Sequence, residues 1–483
     1  MRLLVVAVVC SGAGAWFARP PATPAAEAPA EPAAAAPEAA ATCAEKVTVW
    51  AMANGASVKD GPSAVLSLGA AECLDAGVLD AAVSKAVCSS GARCRVTNGV
   101  GDEVSLCAQL DTVDGVLVAY AVPRDKRFVF SSEAVGNVRF VPKLNVSLVT
   151  LSSAPRMFEV LDFFSEDDAD ALVAEALAIS DDEHKLMRSS TGAKGYHPSK
   201  HRTSDNAWVK AETSALSRRL QDRAFALLGF EGYDVRLADG IQVLRYAHAQ
   251  GYVQHTDYLT RPAGVTKEAM DPAVGGANRL ATLFLYLSDV EDGGQTVFPK
   301  VSRPLEVPDK VKGTLEQRSL TGDELAAFQS SLGEKVSSWE HFMVEDCYSK
   351  LAVRPKKGRA ILYYSQHADG ALDSLSTHGG CPVLTGEKWA ANLWVWNDAI
   401  PFTSNRVEAG ADKEMSAEFV NVNGREGLGL YWEDSLLAAL PSHAASRTSI
   451  NTYAGHRFRI KDADGAVVAD ITIRPGVWVY DIP

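Results

Sequence analysis

The chain has 483 residues, 47% hydrophobic and 22% charged, with a formal net charge of −13. This balance can fill the cores of several domains of about 100–200 residues and excludes disordered, collagen-like and coiled-coil chains. The acidic excess argues against a protein that tracks nucleic-acid phosphates, and beyond residue 20 no apolar run approaches the roughly 18 needed to cross a bilayer.

Met1-Arg2, an apolar run from Leu3 to Val9 and small residues through Ala15 predict a secretory signal peptide over 1–15. The expected destination is the endoplasmic reticulum lumen or the secretory pathway. Trp16-Phe17-Ala18-Arg19-Pro20 resembles the bipartite presequence of a complex plastid, the alternative. Residues 16–42 form a linker, because 18–42 hold 19 Ala or Pro among 25 and cannot build a core. Cys73, Cys88, Cys94 and Cys107 share a 35-residue window, so an oxidising compartment would favour disulfides there. Asn145-Val146-Ser147 is an N-glycosylation sequon that agrees with such a compartment. Strands near Val47–Ala51, Val65–Leu68 and Val116–Val122, with a helix near Leu79–Val87, suggest a small α+β domain of unknown role over 43–150.

From Met157 the texture changes. Ser165-Glu166-Asp167-Asp168 reads as a capping box opening a helix to about Ile179. Leu216, Leu220, Ala224 and Leu227 put an apolar stripe on a second helix over about Val209–Leu228. Strands follow at Gly240–Tyr246, Leu280–Leu287, Ala360–Tyr364 and Trp389–Trp396. The fold expected for 155–398 is a double-stranded β-helix, or jelly roll, with supporting helices, within a chain that is α+β and mostly β overall.

His255-Thr256-Asp257 is the first chemical clue, since residues two apart on a strand project to one face. His378 is the best third ligand; two imidazoles and a carboxylate on one face of an octahedral ion leave three positions open, as Fe(II) oxygenases require. Taken alone, HxD reads more readily as a surface His beside an Asp, and Lys388 as a solvated strand end. Their order and the ten-residue step from His378 to Lys388 favour a site, because a jelly roll can return the chain there on the neighbouring strand. A Lys at that place can pair with the far end of a dicarboxylate.

Three ordered stretches carry a resemblance: Gln242-Val243-Leu244-Arg245-Tyr246 with Gly251 to Tyr258, Arg279 to Val290 with Gly293 to Pro299, and Thr377 to Val383 with Gly386-Glu387-Lys388-Trp389. Over about 155–398 the chain resembles prolyl 4-hydroxylases, which are 2-oxoglutarate- and Fe(II)-dependent dioxygenases of the procollagen-proline type. Arg202-Thr203-Ser204 matches an upstream segment of the plant and algal branch. The resemblance implies that His255, Asp257 and His378 hold iron, while Lys388 and Tyr246 bind the C5 carboxylate of 2-oxoglutarate. It places Thr296 and Trp394 in the cosubstrate pocket, and Arg202 and Arg279 near the peptide groove. O2 is the further cosubstrate, ascorbate the reductant, and a proline-containing peptide the partner. Lys rather than Arg at 388 favours the prolyl over the lysyl hydroxylases. Other readings are a dioxygenase for another residue or a free amino acid, and a hydroxyproline-binding scaffold with a silent oxygenase domain. The 121-residue step from Asp257 to His378 is long for the family, and two insertions account for it, 261–278 and 300–350, the second with a helix over 322–332. Cys347 and Cys381 lie on segments that could meet, which leaves a disulfide open.

Residues 410–483 alternate short strands and turns, as a small β-sandwich does, with strands near Glu418–Val422, Leu428–Trp432, Ser449–Tyr453, His456–Lys461, Ala466–Ile473 and Val477–Tyr480. Phe419-Val420-Asn421, Leu430-Tyr431-Trp432 and Ile450 through Asp462 resemble the β domain of the von Hippel–Lindau protein, which recognises hydroxyproline. The resemblance implies a reader pocket of Thr452, Tyr453, His456 and Phe458. Asn451 and Phe458 stand where that family has His and Trp.

Overall fold

A computed structural model describes residues 46–88, 94–180, 184–189, 201–260, 265–333, 338–401, 414–432, 435–442, 446–453, 456–473 and 479–482. The expected signal peptide and linker lie outside them. The chain divides into two compact units. The first, drawn from residues 46–53, 62–99 and 103–121, contains a sheet of β1 (Lys46–Ala53), β2 (Ala64–Gly69), β3 (Cys94–Thr97), β4 (Asp111–Val113) and all but the last two residues of β5 (Val116–Pro123). Its order is β2-β1-β5-β3, with β1 and β5 parallel and β4 on β5. Short α1 (Ala70–Cys73) precedes α2 (Ala76–Val87), whose Leu79 and Val83 pack on Val49, Ala51, Val96 and Ala119. Disulfides Cys73–Cys107 and Cys88–Cys94 staple this small core.

The small domain was expected to reach residue 150, but β6 (Val138–Val141) and β7 (Val146–Ser152) belong to the second unit. They extend its large sheet because Val141, Val146 and Leu148 are buried with Phe158 and Val160 of β8 (Met157–Leu161). The same sheet contains β9 (Met187–Arg188), β10 (Asp205–Val209), β11 (Ala238–Tyr246), β13 (Arg279–Tyr286), β17 (Ala360–Tyr364) and β20 (Lys388–Trp396), in the order β6-β7-β8-β17-β13-β20-β11-β10-β9.

Two helices cover one face of it. The Ser165 hydroxyl caps α3 (Glu166–Ala178), accepting from the Asp168 amide at 3.0 Å. The second helix, α4 (Ala215–Leu227), starts later than its apolar stripe suggests: Val209 ends β10, and Ser214 supplies the cap. Alternation sorts the strands. Val243, Leu283, Leu285, Leu362 and Tyr364 face the helices with Leu172, Leu220 and Phe225. Leu244, Tyr246, Phe284, Tyr286, Ile361 and Tyr363 face the opposite way, into a second core.

That second core is closed by a smaller sheet of β12 (Tyr252–His255), β15 (Thr296–Ser302), β16 (Lys350–Val353) and β18 (His378–Gly380), ordered β12-β18-β15-β16. A two-stranded ribbon, β14 (Asp292–Gly293) with β19 (Val383–Thr385), lies beside it in sequence. Two β-sheets enclosing one core are consistent with the expected jelly roll. Phe298, Leu351 and Val353 point inward, while Val297 and Ala352 point outward. The outward side is covered by the long insertion, which contains α5 (Asp309–Lys312), the expected helix as α6 (Gly322–Ser331), and an unforeseen α7 (Ser338–Ser349). Cys347 of α7 is bonded to Cys381, three residues after His378.

At the C-terminal end, β21 (Glu414–Asn421), β24 (Ser446–Tyr453) and β27 (Val479–Ile482) form one sheet. The other contains β22 (Gly429–Trp432), β23 (Ser435–Ala439), β25 (Arg457–Lys461) and β26 (Val467–Thr472). Phe419, Leu430, Ile460, Tyr480 and Ile482 from both sheets share one core. Phe458, expected to wall a reader pocket, is buried in that core against Phe419, with ring centroids 5.3 Å apart. Among the described residues, no helix is long and apolar enough to cross a membrane.

Candidate metal and cosubstrate site

The register of β12 with β18 sets His255 opposite His378. The strand ends at His255, and the chain continues so that the Asp257 carboxylate is 3.8 Å from Nε2 of each imidazole. One ligand atom from each of the three lies within 4.8 Å of the others. In both imidazoles Nδ1 faces a carbonyl, Val253 O at 2.9 Å and Ser376 O at 3.0 Å. A carbonyl can only accept, so Nδ1 carries the proton and the Nε2 lone pair faces the cluster.

Electrostatics keep the cluster ready for a cation. Burial and the neighbouring His378 press the His255 pKa down to about 3, so its imidazole is neutral at physiological pH. Burial pushes the Asp257 carboxyl up, but His378, His255 and Arg279 outweigh it and hold the group below the usual carboxylate range. Its Oδ2 accepts hydrogen bonds from the Thr282 hydroxyl at 2.7 Å and the Tyr363 hydroxyl at 2.8 Å. Tyr252 stacks on His255 with ring centroids 3.7 Å apart, and Phe298 stands 5.8 Å from the His378 ring. Two imidazole nitrogens and one ionised oxygen, fixed from behind and walled by aromatics, fit a ferrous ion with open positions.

Lys388 opens β20 directly opposite Tyr246 of β11. Its ammonium is buried amid the Tyr246, Phe284 and Tyr286 rings, 5.3 to 5.5 Å from their centroids, and forms no ion pair with any described residue. Burial alone lowers its pKa to about 7. A Cβ on Gly294 would meet the Lys388 stem at 3.3 Å, so glycine lets the backbone close over it. Thr282, Phe284 and Tyr286 alternate along one face of β13, at about 3.3 Å per residue, and line the way from Asp257 to Lys388. An unpaired buried cation at the end of a path from a metal cluster suits the remote carboxylate of a keto diacid.

The other expected residues divide. Tyr246 is buried beside Lys388, and Thr296 accepts a 2.7 Å hydrogen bond from the Tyr286 hydroxyl. Trp394 is buried, its indole nitrogen unbonded among the described residues, with the Arg279 guanidinium 3.8 Å from its ring centroid. Arg279 is also engaged internally: it pairs with Asp239 at 2.9 Å and donates to the Asp257 carbonyl at 3.2 Å. Arg202 is buried, donates to Gln242 at 2.9 Å and lies over the Tyr252 ring. Sequence reasoning missed Tyr363, Thr282, Tyr252, Phe284 and Tyr286 as site residues. Strict alternation along β13 and β17 was the signal for four of them.

In the C-terminal module, Thr452 Oγ1 is 2.9 Å from Nδ1 of His456, and His456 stacks on Trp432, with centroids 5.1 Å apart. The Tyr453 side chain lies outside the described residues.

Comparison with known proteins matches residues 241–396 to the 2OG-Fe(II) oxygenase superfamily. Probable prolyl 4-hydroxylase 4 of Arabidopsis thaliana is 31% identical over 255 residues, which is 52% of this chain and 70% of that protein. Prolyl 4-hydroxylase 2 of the same plant is 30% identical over 257 residues, again 52% and 70%. Among solved structures, the viral collagen prolyl hydroxylase of Paramecium bursaria Chlorella virus-1 with 2OG covers 50% of this chain and 96% of that one, at 22% identity and a TM-score of 0.31. The chain belongs to the prolyl 4-hydroxylase family of 2OG-Fe(II) oxygenases.

Proposed function

We propose that the chain hydroxylates C4 of prolyl residues in peptides, consuming 2-oxoglutarate and O2 and yielding succinate and CO2. The observation that carries this is the pairing of a three-donor cluster with one buried, unpaired ammonium across the same core. His255, Asp257 and His378 would hold iron(II), Lys388 and Tyr246 would hold 2-oxoglutarate by its C5 carboxylate, and Thr296 would line the same pocket. Bound together, iron and the keto acid supply the oxidising power that inserts oxygen into an unactivated C–H bond. The chain's own work is positional. Val253 O and Ser376 O fix the imidazole tautomers, and Thr282 and Tyr363 orient the carboxylate. Aromatic walls keep bulk water out, which strengthens the Lys388–carboxylate attraction. Trp394 would line the cosubstrate pocket, and Arg202 and Arg279 would stand near the peptide groove, the two arginines acting chiefly to hold the Tyr252 and Trp394 ring faces. Ascorbate is the expected reductant that keeps the iron ferrous.

The apolar N-terminus and three disulfides support entry into the secretory pathway, the endoplasmic reticulum lumen first. The C-terminal module is proposed to bind the hydroxylated product. The Thr452–His456 pair can hydrogen-bond a hydroxyl, and the Trp432 face can pack a pyrrolidine ring. The test is mass spectrometry of a panel of proline-rich peptides and free proline after incubation with iron, ascorbate and 2-oxoglutarate. A 2-oxoglutarate-dependent oxygen addition on peptidyl proline, lost in His378→Ala, is the expected result. Modification of free proline alone would refute peptide specificity, and succinate production that needs no peptide would refute the coupling. For the module, hydroxylated and plain peptides are compared on the full chain and on Trp432→Ala; equal affinity of both peptides for the unsubstituted chain ends that reading.

A further inference from the structure

Asn145 closes the turn between β6 and β7 in a left-handed conformation, φ 52°, and is exposed. A left-handed turn by itself explains an asparagine there, since its short amide tolerates that backbone. It does not explain the residue two positions on. Register places Ser147 between Phe140 of β6 and Leu161 of β8. Phe140 is 53% exposed and Leu161 41%, with Val138 also exposed on the edge strand, so this row faces solvent. Neither the Asn145 carboxamide nor the Ser147 hydroxyl forms a hydrogen bond to any described residue. An acceptor amide on an exposed turn, with a half-buried hydroxyl two residues on at the start of β7, is what N-glycosylation needs.

We infer that Asn145 carries an N-linked oligosaccharide, attached beside the apolar edge of the large sheet. The donor class is an oligosaccharide activated as a lipid diphosphate. Its anomeric C–O bond to the diphosphate breaks, a C–N bond to Asn145 Nδ2 forms, the amide gives up one proton and the lipid diphosphate leaves. The consequence for the fold is protective. Among the described residues β6 is the terminal strand of its sheet and carries two exposed apolar side chains, and such edges invite pairing with other chains. A hydrated glycan at the turn obstructs that approach.

This inference rests on the proposed secretory entry, and the experiment separates the two. The full chain is translated with endoplasmic-reticulum microsomes, and protection from added protease is read alongside gel mobility before and after endoglycosidase. The expected result is a protected chain with a single endoglycosidase-sensitive shift, absent in Ser147→Ala and retained in Ser147→Thr. Ser147→Ala leaves the left-handed Asn145 in place, so losing the shift reports on the sequon and not on the turn. A protected chain with no shift, or a shift that survives Ser147→Ala, overturns the glycan while leaving secretory entry standing. A chain digested by protease overturns both.

Discussion

Lys388 gives the sharpest test of the site, because its charge is poised. Burial depresses its pKa to about 7 with no carboxylate to restore it, and the rings around it do not titrate nearby: burial pushes Tyr246 and Tyr286 upward. His255, at about 3, is silent in the same window. A dicarboxylate that binds through the ammonium must first see it protonated. With the free-site pKa at about 7, roughly 0.9 of the lysine is neutral at pH 8, so binding there takes up about 0.9 proton and weakens about tenfold relative to pH 6. The assay is anaerobic calorimetry of 2-oxoglutarate binding to the iron-loaded chain, from pH 6 to 8, in two buffers of different ionisation enthalpy. Lys388→Met should bind far more weakly and lose the proton uptake. Affinity that is flat from pH 6 to 8, with no buffer dependence, would refute the reasoning, since no neutral Lys388 would then be taking up a proton on binding. The sign for folding runs the other way. An ammonium with a depressed folded pKa costs stability below pH 7, and the cost is relieved as pH rises from about 7 toward the unfolded value of about 10.4. The protein without cosubstrate should therefore gain from Lys388 in that range.

Other consequences follow from the supporting residues. Tyr363→Phe removes one of two donors to Asp257 Oδ2, and iron affinity, measured by competition with a chelator, should fall about 10- to 100-fold while the fold persists. Cys347→Ser opens a crosslink across 34 residues; the loop-closure value is about 4 kcal/mol, read as a lower midpoint in urea, and Cys381→Ser should show the same loss. Phe458→Ala should destabilise the C-terminal module by about 3–5 kcal/mol, seen in its thermal transition, whereas Trp432→Ala, at a partly exposed ring, should leave that transition nearly unchanged.

The three donors were legible because iron chemistry demands particular side chains, and those residue types stand out in one dimension. The supports were legible only as strand residues sharing a face, because alternation does not say which tyrosine or threonine meets Asp257. What makes Tyr363 a partner of Asp257 is the pairing of β17 with β13, where Tyr363 lies beside Thr282 and both point at one carboxylate oxygen. That pairing joins segments about 80 residues apart and leaves no local mark. The same limit explains the misplaced domain boundary: β6 and β7 read as more of the preceding strands until β8 claims them. It also explains Phe458, whose place in a motif suggested a pocket wall although its partner, Phe419, lies on the opposite sheet. The long insertion shows the converse. Its length was plain and its role was not, yet the fold turns it into a second layer on the outer side of the small sheet. There Met343 stands so close to Gly379 that a Cβ at 379 would meet its methyl at 2.5 Å. The helix thus presses on the residue next to His378 while Cys347 ties it to Cys381. Sequence added far from the metal ligands in the chain therefore bears directly on how firmly one of them is held.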